Sequence, residues 1–222
     1  MAAYFTPDFM AFVHDLYKNN NRDWFQLNKN RYEKHVKLPF EAFVGECIRC
    51  IQAEDPTVTC TAKQAIFRIY RDTRFSNDKT PYKTHLAAAI SAGNKAEHTV
   101  PGFYIHFGPG EIMFGGGAYM PDKDFLQRIR TKITQEPERV KKLLGDKNFV
   151  KRYHKMQGEV NKVIPKEFKE AFAAQSLIAH KQFYYMAEYA DESLLLRADL
   201  VDFVMEHYHA GQGWHAFFME CL

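Results

Sequence analysis

An α+β fold is expected for this chain: an antiparallel β-sheet, with strands within about 64–119 and one more near 182–186, packed with N-terminal and C-terminal helices. Three observations carry that reading. The hydrophobic period is helical up to Glu54, becomes two between Ala65 and Tyr119, and turns helical again after Pro121. The segments of period two are joined by connections too short for parallel crossovers, so they must pair antiparallel. A chain of 222 residues, 46% hydrophobic and 15% aromatic, can bury a substantial core, and one domain over 1–222 is expected.

Taken in order, Thr6 can cap the first helix, with Pro7 at its first position and Phe5 placed to staple onto Met10. Phe9, Phe12, Val13 and Leu16 make its apolar stripe. Asn19-Asn20-Asn21 ends it, because asparagine tolerates a left-handed cap and competes for backbone hydrogen bonds. A second helix is expected over Asp23–His35, where Trp24, Phe25, Asn28, Arg31 and Tyr32 either pack or line a pocket edge. Pro39 is expected to start a core helix carrying Phe40, Phe43, Val44, Cys47, Ile48 and Ile51, stopped by Asp55-Pro56.

Ala65–Tyr70 reads as the first strand and Leu86–Ser91 as the second, with a turn from Gly93-Asn94 to Thr99. Gly102–Phe107 and Glu111–Tyr119 form a hairpin around Pro109-Gly110. Gly115-Gly116-Gly117 marks a bulge, an aromatic lying over bare backbone, or the approach of a ligand. It is no P-loop, since no Gly-Lys-Ser/Thr follows. Pro121-Asp122 opens a helix with Phe125, Leu126, Ile129 and Ile133, and Gly145 stops a shorter one holding Val140, Leu143 and Leu144. Pro165 starts a short helix with Phe168 and Phe172, and Gln182–Met186 adds a strand. Ser193 can cap a last helix built on Leu196, Leu200, Phe203 and Val204, which Gly211 and Gly213 break before Trp214, Phe217 and Phe218.

The stretch from Arg68 to His85 organises the rest. It holds Arg68, Arg71, Arg74, Lys79 and Lys83 against Asp72 and Asp78, a formal charge of +3 that equals the charge of the whole chain. Guanidinium forks match carboxylate and phosphate, and keep their charge at any relevant pH. Asn77-Asp78 and Pro81 impose a turn that can gather cations which a straight strand would scatter. Such a loop holds an anion, with Asp72 and Asp78 orienting two of the cations, or is pinned by ion pairs to carboxylates from elsewhere.

R-x-x-R-D-x-R-F-S-x-D-K-x-P-Y-K, as it stands from Arg68 to Lys83, resembles the hallmark of an uncharacterised, mainly bacterial family, domain of unknown function 2461. The likeness includes Asn20-Asn21-Arg22-Asp23-Trp24-Phe25, Gly102-Phe103-Tyr104-Ile105-His106 and Gly116-Gly117-Ala118-Tyr119-Met120-Pro121, and is strongest over 5–145. It implies no activity, cofactor or catalytic residue.

Acid–base candidates are His85, His106 and Asp72, with Tyr70, Tyr82 or Tyr104 as hydrogen-bond donors. Each histidine has a plain structural alternative. His207-Tyr208-His209 and His215 have no carboxylate at metal-ligand spacing, so no metal is expected, and no cofactor motif is present. Cys47 and Cys50 fall late on a core helix, where a C-x-x-C pair packs rather than reacts. No apolar run approaches the roughly 20 residues of a membrane span. The N-terminus lacks the pattern of a signal peptide, and cytoplasmic residence is expected.

The favoured reading is a protein, enzymatic or not, that binds a small phosphate- or carboxylate-bearing ligand through Arg68, Arg71, Arg74, Lys79, Tyr82 and Lys83. Nucleic-acid binding through the same loop ranks second, because such proteins spread basic charge over a broad face. A non-enzymatic module with a structural loop ranks third.

Overall fold

The computed structural model describes residues 3–92 and 100–222, and the turn expected from Gly93 to Thr99 lies outside the described residues. Helix α1, Pro7–Lys18, buries Phe9, Phe12, Val13 and Leu16 as the stripe requires. Thr6 is its N-cap by backbone conformation, without a side-chain bond, and the Phe5 ring packs 4.5 Å from that of Phe9. Asn19 ends α1 at a φ of −124°, so the expected left-handed cap is not used.

The helix expected over Asp23–His35 is interrupted. Asn28 donates its side-chain amide to the Trp24 carbonyl at 2.9 Å, competing with the backbone ladder. Here α2, Arg22–Leu27, gives way to α3, Lys29–Tyr32. A π-turn over Glu33–Lys37 then leads directly into α4, Leu38–Glu54. Pro39 therefore lies just inside a continuing helix rather than starting an isolated one. The wider turn, with the Leu38 N–H on the Glu33 carbonyl, accommodates a residue that has no N–H to donate.

The expected first strand is also corrected. Gln64 and Thr61 form a capping box that draws Ala62–Ala65 into a short helix, α5. Beyond it the chain makes only isolated antiparallel bridges, Ile66 to Ala88 and Tyr70 to Tyr82. Four steps on one arm face six on the other, so the register slips around Thr84-His85 and no continuous ladder forms.

The regular strands are β1, Leu86–Ser91; β2, Gly102–Gly108; β3, Glu111–Ala118; and β4, Phe183–Tyr189. They make one antiparallel sheet in the order β1-β2-β3-β4, flanked by N-terminal and C-terminal helices. The triple glycine lets β4 approach β3 closely. A Cβ on Gly115 or Gly117 would run into the carbonyl oxygens of Tyr185 and Phe183, and one on Gly116 would lie 2.7 Å from the Gly102 oxygen. Gly117 also has a φ of +120°, a bulge conformation that side chains rarely adopt.

Asp122 caps α6, Lys123–Gln135, through the Phe125 N–H at 2.8 Å, so the helix begins beyond Pro121. Helix α7 is Pro137–Leu144, ended at Gly145, and α8, Lys147–Tyr153, is capped by Asp146. Helix α9, Lys169–Ala174, follows a single 3-10 turn. The last helix, α10, spans Leu200–Met219 without a break. Asp191 rather than Ser193 accepts the capping bond, and it caps a separate turn ahead of α10. Gly211 sits inside α10 because its backbone abuts Tyr185, whose hydroxyl donates to the Gly211 carbonyl at 3.1 Å.

The described chain forms two compact units. The first comprises Met1–Lys95, Tyr104–Phe114 and Glu188–Met205. Its core centres on Phe107, which meets Phe5, Phe9, Phe40 and Phe43 at 5.5–6.2 Å. The second comprises Ala96–Phe103, Gly115–Ala187 and Glu206–Leu222. There the buried Arg130 guanidinium donates to the Ile178 and His180 carbonyls at 2.9 Å each, tying α6 to the segment before β4.

Candidate functional site

The loop after Ile66 is held at its root by an aromatic stack and a two-point clamp. Tyr82 is buried and stacks on Phe25, with ring centres 4.1 Å apart. Asn20 donates to the Tyr82 carbonyl at 2.9 Å and accepts from its N–H at 3.1 Å, standing in for a β-bridge partner. Backbone bonds from Arg71 to Pro81 and from Lys83 to Ile69 close the two arms.

Above that root, the carboxylates that hold the arginines are the loop's own. Arg74 binds Asp72 through two parallel bonds of 2.7 and 3.0 Å. That fork, with the Arg74 N–H, holds the Asp72 carboxyl well below the usual range. Arg71 bonds Asp78 and the Thr80 hydroxyl. Asp78 also accepts from the Thr80 N–H, and this bond first, then Arg71, brings its pKa down to about 2. Asp72 is thus a fixed anion at neutral pH, unsuited to act as a general acid. Lys79 reaches the Thr73 carbonyl at 2.8 Å. Among the described residues Arg68 makes no hydrogen bond or ion pair, and its charge contributes to keeping Asp72 ionised. The tip is open to solvent: Phe75 is 96% exposed, with the Arg74 guanidinium 5.7 Å from its ring centre.

At the foot of the loop the register slip turns His85 toward the sheet. On β2 the alternation that buries Ile105 and Phe107 puts Tyr104 and His106 on the opposite face. His85 stacks on His106 with ring centres 4.3 Å apart and planes 24° from parallel. The Tyr104 hydroxyl is 3.1 Å from His106 Nδ1, while His106 Nε2 is buried and has no hydrogen-bond partner among the described residues. A carboxylate, that of Glu111 at the start of β3, is 3.8 Å from Nε2, too far for a hydrogen bond. Lys83 extends over the Phe67 ring at 5.1 Å. Burial first, then His106 and Lys83, hold His85 at a pKa of about 4, and burial with Lys83 does the same to His106.

The structure therefore brings His85, His106, Tyr104 and Lys83 together, and gathers Arg71, Arg74, Asp72, Asp78 and Lys79 in the loop above. Tyr82 lies under the loop in the aromatic stack. Asn20, Thr80 and Glu111 were not singled out by residue type. The asparagine run could have flagged Asn20, whereas only the β2–β3 turn carries Glu111 back to His106. Cys47 is fully buried and burial raises its thiol pKa, while Cys50 is part-exposed beside Glu46. His207 is buried in α10, its carbonyl accepting from Tyr153. Among the described residues no three metal-ligating side chains converge, and no helix is long and apolar enough to cross a membrane.

The family described as a conserved hypothetical protein, DUF2461, matches residues 8–217. The chain belongs to the DUF2461 family. In this DUF2461 chain the basic–acidic loop and the histidine pair both fall inside the matched residues. No curated protein and no solved structure matches the chain.

Proposed function

We propose that this DUF2461 protein binds a small phosphate- or carboxylate-bearing ligand at the Arg68–His85 loop. One observation carries the reading: Arg74 and Arg71 are paired with solvent-facing carboxylates of the same loop, Asp72 and Asp78, while Arg68 has no ion-pair partner among the described residues. An incoming oxyanion reproduces the geometry of those carboxylates and can exchange with them, because an ion pair as exposed as Arg74–Asp72, its arginine 76% accessible, is worth little in water. Arg68 and Lys79 would add attraction at the same surface, and the Asn20 clamp would preorganise the loop.

Thermal melting in phosphate and in chloride at equal ionic strength tests this. Phosphate is expected to raise the melting temperature more than chloride, by roughly 2.7 kcal/mol of stability at about one hundred times its dissociation constant. Arg68→Ala should remove that difference at little cost in chloride, since it truncates an exposed, unbonded side chain. Equal melting of the wild type in both salts would sink the proposal. Exposed Phe75 and Tyr70 beside the cations favour a second reading, base stacking of single-stranded nucleic acid, which a different salt response separates.

A further inference from the structure

We propose that His106 Nε2 is an oxyanion subsite at the foot of the loop, where an acidic oxygen of the ligand displaces the Glu111 carboxylate and binding draws a proton onto the imidazole pair. The inference rests on the anion-binding reading of the loop and extends it to a specific atom. His106 is only 7% exposed, yet among the described residues Nε2 lacks the partner that a buried polar atom requires. In the tautomer in which the Tyr104 hydroxyl donates to Nδ1, and in the imidazolium whichever way that bond runs, Nε2 carries a proton and presents a donor. The residue beside it is Gly108, where a Cβ would stand 3.1 Å from Nε2 and 3.2 Å from the His85 Cβ. Any larger residue would crowd the approach to Nε2.

Among the described residues, the charged and titratable groups around His106 are Tyr104 on its own strand, His85 ahead of β1, Lys83 in the loop and Glu111 on β3. Glu111 belongs to a 63% exposed side chain, so moving it aside breaks no buried contact. Burial and Lys83 disfavour protonation of the rings in the absence of ligand. A bound oxyanion reverses that balance, because an adjacent negative charge favours imidazolium. The site thus selects an acidic ligand and takes it up together with a proton.

The test uses the full chain and sulfate, whose charge is constant over the working range. The imidazole nitrogens of His85 and His106 are followed by NMR against pH, with sulfate replacing chloride at constant ionic strength. Sulfate is expected to raise the His106 midpoint by about one pH unit, equivalent to a tenfold preference for the protonated ring. Glu111→Gln should tighten sulfate binding by removing the competing charge, and Gly108→Ala should weaken it without altering any titratable group. A His106 midpoint indifferent to sulfate in both wild type and Glu111→Gln overturns the inference. If phosphate stabilises the protein through Arg68 while His106 stays silent, the subsite fails and the loop reading stands. A responsive His106 in a protein whose melting ignores Arg68→Ala supports the subsite and overturns the loop reading.

Discussion

His106 is where burial and charge oppose each other most directly. It and His85 titrate near 6.5 when unfolded, but near 4 in the fold. Between those values the unfolded chain binds more protons. The stability that neutrality contributes is complete above pH 6.5 and is lost as pH falls through 4, with a slope on the order of 1 kcal/mol per pH unit for each histidine. Solvent screening trims the share of the less buried His85. Urea midpoints between pH 7 and pH 5 should fall for the wild type and flatten in the His85→Gln/His106→Gln double variant. Parallel slopes would remove the two histidines as the cause. Gly117 is constrained by its backbone rather than by charge. Gly117→Ala meets both a φ of +120° and the Phe183 carbonyl, and should cost more than about 2 kcal/mol by urea unfolding. A variant as stable as the wild type would mean that β3 and β4 are less tightly apposed than described.

At the scale of elements, the loop depends on a partner more than 60 residues away in sequence. Asn20 occupies both hydrogen-bonding groups of the Tyr82 backbone, which no strand of the sheet serves. Asn20→Ala removes both bonds and should cost about 1–3 kcal/mol, the range for stranded backbone groups. Amide hydrogen exchange should then accelerate at Tyr82, whose N–H loses its acceptor, and at Arg71, whose N–H spans the two arms, while α4 keeps its protection. Unchanged exchange at Tyr82 would show that the Phe25 stack alone secures the loop.

For the whole molecule, the net charge of +3 is the charge of one loop, so the remaining residues sum to neutrality. A protein charged in this way attracts nucleic acid only as a local patch does. Fluorescence anisotropy with a single-stranded oligonucleotide should show weak binding that falls steeply between about 50 and 200 mM salt, as counterion release dictates. Tight binding that survives higher salt would transfer the loop to the stacking reading, with Phe75 as its platform.

Much of this was legible in the residues alone wherever the deciding interactions are local. The stripes of α1 and α4, the β2–β3 hairpin and the unusual charge of the Arg68–Lys83 stretch all follow from neighbours within a few positions. The pairing of Arg74 with Asp72 is two residues apart and could be foreseen as an orientation of cations by the loop's own acids. Tertiary structure decided the rest. Ala65–Tyr70 has a strand's alternation, but a capping box and a slipped register leave it with isolated bridges. Gly211 has a breaker's identity, yet α10 runs through it because Tyr185 lies against its backbone. His85 and His106 were candidates by chemistry. Their stacking, the burial of Nε2 and the nearness of Glu111 exist only once β1, β2 and β3 lie side by side, since side-chain distance across a sheet is set by register, which no local pattern specifies.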